Sequence, residues 1–118
     1  LLFGFTTDEP LVLNQESELF SSPLRRDPRP MDGIYHAAYV SARMALTMDR
    51  VASASFLSED IRDEARRLRD EDIVNFHKGA AVVRAAANMT ATGISIFAEA
   101  EAAMQNLVKT IALGSQND

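Results

Sequence analysis

The side chains able to do chemistry are few and poorly spaced for it. His36 and His77 are the only histidines. Neither stands four residues from another or inside an H-E-x-x-H pattern, so zinc ligation has little support. His36 sits beside Tyr35 and Tyr39 and reads as a packed or partly exposed helix residue. His77, with Lys78, falls at a helix junction, where it would serve free carbonyls. The carboxylates gather in one stretch: Glu59, Asp60, Asp63, Glu64, Asp70, Glu71 and Asp72. Two acids that cleave a glycosidic bond must face each other across a cleft, about 5–10 Å apart. Here arginines interrupt them within every turn or two, the pattern of a solvated ion-pair face. Asp70-Glu71-Asp72 also lacks the glycine turn and closing glutamate of a calcium loop. The absence of cysteine excludes disulfides, thiolate metal sites and thiol nucleophiles. There is no glycine-rich phosphate loop and no G-x-S-x-G elbow. This reading is of a non-enzyme, with no catalytic residue, cofactor or metal site assigned.

Three short patterns stand apart from that inventory. Leu24-Arg25-Arg26-Asp27 holds a dibasic pair in a proline-rich segment that a processing protease could reach; as a plain loop it is solvated. The chain opens on Leu1 rather than methionine, the start of a cut or processed chain. Asn88-Met89-Thr90 fits the N-glycosylation acceptor pattern, but the spacing places Asn88 inside a helix, where acceptors are disfavoured. Arg66-Arg67-Leu68-Arg69 before Asp70-Glu71-Asp72 resembles the R-x-L-R and acidic motif of host-entering effectors of water moulds. That family carries the motif in a disordered leader. Here it lies mid-chain in a charged helix, without tryptophan, and reads as an arginine-rich helix face.

The elements that must carry these residues are marked by proline and alanine. All four prolines (Pro10, Pro23, Pro28, Pro30) lie in the first 30 residues, and all alanines follow His36. Proline lacks an N–H and fixes its backbone, so residues 1–31 predict an extended, irregular head and 32–118 a helical bundle, as one domain. The head carries apolar patches at Leu1, Leu2, Phe3, Phe5 and at Leu11, Val12, Leu13; neither resembles a signal peptide. A first helix is expected from Asp32, its N-cap, to about Ser55, with Ile34, Ala38, Ala42, Ala45 and Ala52 as its apolar stripe. A second begins at the N-cap Ser58; Ile61, Ala65 and Leu68 form its thin stripe, and Asp63–Arg67 is one of its i,i+4 pairs.

The third helical stretch has the strongest pattern. From Phe76, apolar positions alternate steps of four and three: Ala80, Val83, Ala87, Thr90, Ile94, Phe97, Glu101, Met104, Val108, Ile111, with Thr90 and Glu101 the exceptions. Such a seam packs along neighbouring helices at shallow angles. It predicts one long helix from Lys78 to Leu113, which Gly79 or Gly93 could bend, stopping at Gly114. A second face (Val82, Ala86, Met89, Gly93, Ile96, Ala100, Ala103, Leu107) is also small or apolar. Three accounts of this charge-poor helix stay open: a central helix covered on several sides, an interface between subunits, and a segment that docks at a membrane. Its longest uncharged run, Ala85 to Ala98, falls short of the roughly 20 residues that span a bilayer.

Composition narrows the partners. Leu, Ile, Val and Phe make up about a quarter of the chain, which argues for a folded protein. The net charge of −5 gives no general attraction to phosphate backbones, so nucleic acid is not expected as a partner.

As a profile (size, a non-methionine start, no cysteine, apolar helices), the chain resembles the small killer toxins that fungal viruses encode and their hosts secrete, in a less usual cysteine-free helical form. No motif carries the resemblance, and it transfers no functional residue. It implies a secreted antifungal protein acting on an envelope or membrane component of competing cells. The sequence reading is therefore all-α: a proline-bearing head packed on three main helices, the last long. Its function is a non-enzymatic toxin or effector, with Val83, Ile94 and Phe97 as membrane- or partner-contact candidates. The alternative is a helical self-assembling or partner-binding protein, such as a viral structural component or an adaptor, forming a homo-oligomer.

Overall fold

Where proline ends, regular structure begins. Pro30 has extended backbone and occupies the N-cap position of α1 (Met31–Ala52), without a side-chain cap. Its fixed φ lets the helix start directly behind it, so Asp32 sits in the first turn rather than at the cap. The computed structural model describes residues 9–23 and 25–116, and these form an all-α bundle. After α1 come α2 (Glu59–Ala86) and α3 (Ala91–Gln116). The head contributes two short antiparallel strands, β1 (Leu19–Phe20) and β2 (Arg29–Pro30), with Leu19 opposite Pro30.

α1 and α2 form an antiparallel hairpin whose contact surface is made of small residues. Ala38, Ala42, Ala45, Ala52, Ala65 and Ala80 are all buried. A Cβ on Gly79 would lie 3.0 Å from that of Ala38, so the two backbones approach closely there. Ser58 caps α2 by accepting from the Ile61 N–H at 3.3 Å, the local signal expected of it. At the other side of the turn the Arg62 Nε donates to the Ala52 carbonyl at 3.0 Å, satisfying an end group of α1. Arg69 is only 9% exposed and spans the hairpin to Asp49 at 3.0 Å. It takes the place in the buried stripe that the apolar pattern gave to Leu68, while Ile61 is exposed.

α3 closes the bundle through larger side chains. Phe97 lies 5.4 Å from the ring of Tyr35 on α1 and 6.0 Å from that of Phe76 on α2. Met104 and Leu107 continue the buried face.

The expectations about the last helix need correction. The stretch from Lys78 to Leu113 is not continuous: four residues, 87–90, separate α2 from α3. Neither glycine is the break. Gly79 lies within α2 and Gly93 in the first turn of α3, both helical. Nor is α3 the central, covered helix; Ile94, Val108 and Leu113 on it are exposed. Gly114 does not stop it, since α3 reaches Gln116. α1 ends at Ala52, three residues before Ser55. The patch Leu1, Leu2, Phe3, Phe5 and residue Leu24 lie outside the described residues.

Candidate functional site

The α2–α3 junction is built by the head. Leu13 N–H donates to the Asn88 carbonyl at 2.7 Å, and Thr90 N–H to the Leu11 carbonyl at 3.0 Å. The Asn14 side chain grips the same turn with both ends: its Oδ1 accepts from Asn88 N–H at 2.7 Å and its Nδ2 donates to the Ala86 carbonyl at 3.1 Å. Thr90 is the N-cap of α3, its Oγ1 accepting from Gly93 N–H at 3.0 Å while donating to the Pro10 carbonyl at 2.8 Å. On the inner side the buried Tyr35 hydroxyl donates to the Gly93 carbonyl at 2.7 Å. Burial, with Tyr39 nearby, pushes the Tyr35 phenol up to about 12. The residues of the glycosylation pattern are therefore the helix break itself, and Asn88 is exposed in the turn rather than inside a helix.

This junction fixes how α3 presents its two faces. Its core stripe is Gly93, Phe97, Ala100, Met104, Leu107 and the half-buried Ile111. Compared with the seam read from Phe76 onward, Phe97, Met104 and Ile111 keep their places, while Ile94, Glu101 and Val108 yield theirs to Gly93, Ala100 and Leu107. The non-helical residues 87–90 reset the phase, so the stripe cannot be carried across them. The three contact candidates consequently separate. Val83 (0% exposed) and Phe97 (2%) belong to the core, whereas Ile94 is 55% exposed. Only Ile94 is placed to touch a partner.

The outward face of α3 is poor in charge. Between Ala91 and Gly114 only Glu99, Glu101 and Lys109 are ionisable, and Glu101 is half-buried and paired with Arg84 of α2. Ile94 and Val108 are exposed on one flank of α3 and Leu113 about 140° round from Val108, among exposed alanines and the polar Ser95, Gln105, Asn106 and Thr110. α1 and α3 run parallel, so the end of α3 lies at the same end of the bundle as the α1–α2 turn. There Phe56 is 87% exposed, the most exposed large apolar side chain among those described. Periodicity could not find it, because it lies between helices; the signal was an uncharged stretch from Val51 to Ser58.

The other sequence candidates are absorbed by structure. Arg66 pairs with Asp63 and with Glu59 at 3.4 Å; Arg67 pairs with Glu64 at 2.6 Å and Glu71 at 2.8 Å, in place of Asp63. The bond from Arg67 holds the Glu64 carboxyl below its ordinary range. Arg69 completes the set with Asp49 and Asp70, each at 3.0 Å. The R-x-L-R residues thus form an ion-pair ladder along α2. Desolvation, with Glu71 adjacent, raises Asp72.

His77 is exposed and lies edge-on to Phe76 at 5.5 Å. His36 is exposed at the rim of a cavity of about 510 Å³ between the head and α1, with Glu9 and Asp32. Among the described residues no three His, Asp or Glu side chains converge to hold a metal ion, and no helix is long and apolar enough to cross a membrane. Comparison with family models, curated proteins and solved structures finds no match to the chain.

Proposed function

We propose that the protein is a non-enzymatic helical effector that acts by contact at the envelope of a target cell, through the outer face of α3. One observation carries the reading: Ile94 and Val108 are exposed along one flank of a helix with few charges, and Phe56 stands at the end of the bundle toward which that helix runs. Exposed apolar side chains that share a face favour a surface meeting another apolar phase. Secretion and an antifungal target follow from the killer-toxin resemblance and are part of the proposal.

Ile94→Asp tests it cleanly, because Ile94 lies outside the core and the variant should fold. The protein is expected to inhibit susceptible fungal cells and to co-sediment with phosphatidylcholine–ergosterol vesicles, and the variant to lose both. Inhibition and vesicle binding that survive Ile94→Asp would overturn this use of α3.

A second reading, self-assembly, draws on the same face. Exposed Ala91, Ala98 and Ala102 would let the α3 of another copy approach closely. A stable oligomer by light scattering, dissociated by Ile94→Asp, with no vesicle binding, would favour it.

A further inference from the structure

Every arginine of α2 has a carboxylate partner: Arg62, Arg66, Arg67, Arg69 and Arg84 are all in ion pairs. Arg25, Arg26 and Arg29, within five residues of the head, have none among the described residues, although the chain as a whole is acidic. Arg25 and Arg29 line a cavity of about 280 Å³ where β2 runs into α1, together with Gly33 and His36. The Nε of Arg29 is itself buried, with no hydrogen-bond partner among the described residues. A buried donor left in that state is costly, more so on a charged group, and an anion held by the rest of the same guanidinium offsets that cost through its charge.

Two further features suit an anion. Pro30 provides no side-chain cap for α1, and Gly33 of its positive first turn lines the cavity, while Asp32 of the same turn lines the neighbouring one. Pro23, Pro28 and Pro30 restrict the backbone that carries the arginines, and Arg29 is pinned opposite Phe20 in the strand pair. Little freedom is then lost on binding. The carboxylate in the loop, Asp27, is exposed and forms no ion pair among the described residues.

We propose that this cavity binds the dianionic phosphate of a phosphate monoester. Two guanidiniums offer the planar donor forks that match phosphate oxygens, and two positive charges with a helix N-terminus favour a dianion over a carboxylate. The inference is independent of the α3 face, which the Arg25 and Arg29 substitutions leave untouched.

The test is calorimetric titration of the whole protein with inorganic phosphate and with phenyl phosphate, at constant ionic strength against chloride. Alongside it, co-sedimentation compares vesicles containing phosphatidic acid with vesicles of phosphatidylcholine alone. Binding should saturate at one site, and Arg25→Gln/Arg29→Gln should weaken it at least about tenfold, the loss expected for charge-assisted hydrogen bonds. Arg50→Gln, an exposed arginine on the last turn of α1, should change nothing. Arg25→Gln alone, at an exposed position, guards against loss of fold in the double variant. Soluble monoesters that bind while phosphatidic acid vesicles do not identify a small-molecule site. Vesicle binding that phosphate competes away identifies a lipid headgroup. No binding by either probe overturns the proposal, as does binding that Arg50→Gln weakens as much as the double variant.

Discussion

Gly33 and Gly93 occupy the same place, the third residue of their helices, yet a methyl group should act on them in opposite directions. A Cβ on Gly33 meets nothing within 4 Å. Gly33→Ala only removes the flexibility of a helical glycine and should stabilise the protein by about 0.5–1 kcal/mol. A Cβ on Gly93 would lie 2.0 Å from the Leu11 carbonyl oxygen, so the head must withdraw and its bonds to the junction must stretch or break. Gly93→Ala should cost about 2–4 kcal/mol. Urea midpoints read both, and equal shifts would show that the head does not sit against α3. Tyr35 gives a pH signature at the same place. Its phenol is raised from 10.0 to about 12, so the folded state holds the proton more tightly than the unfolded chain. The stability this supplies is whole below pH 10 and is lost as pH rises toward 12, up to about 2.7 kcal/mol in all. Tyr35→Phe should cost about 1 kcal/mol at pH 8, from the lost bond to Gly93, and should show a shallower alkaline fall than the parent. Urea titrations at pH 8 and at pH 11 separate the two effects, and parallel falls would deny the buried phenol its role.

At the scale of elements, what local sequence decides was readable and what distant contacts decide was not. The stripe of Ile34, Ala38, Ala42, Ala45 and Ala52 is buried, and Ser58 caps its helix, because both signals act within a few residues. The division between a proline-bearing head and a helical remainder follows from the same local chemistry. The turn between α2 and α3 is different. Ala87-Asn88-Met89-Thr90 continues a regular alternation of steps, and its weak helix formers only permit a break. Asn14, 74 residues away, turns permission into structure by taking both an N–H and a carbonyl that a continuous helix would have used. The contact candidates separated for this reason: a seam counted through the turn gives Ile94 the phase of Val83, and the structure buries one and exposes the other. Asn14→Ala removes both bonds and should cost about 2 kcal/mol. Amide exchange at residues 86–90 should then quicken while α1 keeps its protection; unchanged exchange there would mean that the turn holds itself.

The whole molecule is a tight hairpin with a third helix attached unevenly. α1 meets α2 along its length through alanine and glycine, whereas α3 is anchored near its start by the Tyr35, Phe76 and Phe97 rings and the head. Beyond Met104 its buried side chains thin out, and a shallow cavity of about 300 Å³ separates Asp70 and Ile73 from Val108 and Ile111. Phe56 stands exposed at the hairpin turn, while arginines with no ion pair among the described residues gather at the opposite end, where the head enters α1. Two aspartates placed in α2 and α3 read this arrangement directly. Val83 is fully enclosed in the hairpin core, so Val83→Asp buries a charge without a partner and should cost about 4 kcal/mol or more, enough to unfold a small domain. Ile94→Asp meets solvent and should change stability by no more than about 0.5 kcal/mol. Circular dichroism through a thermal melt distinguishes them. Were Ile94→Asp as damaging as Val83→Asp, α3 would be covered in the native protein, and self-assembly rather than envelope contact would account for its outer face.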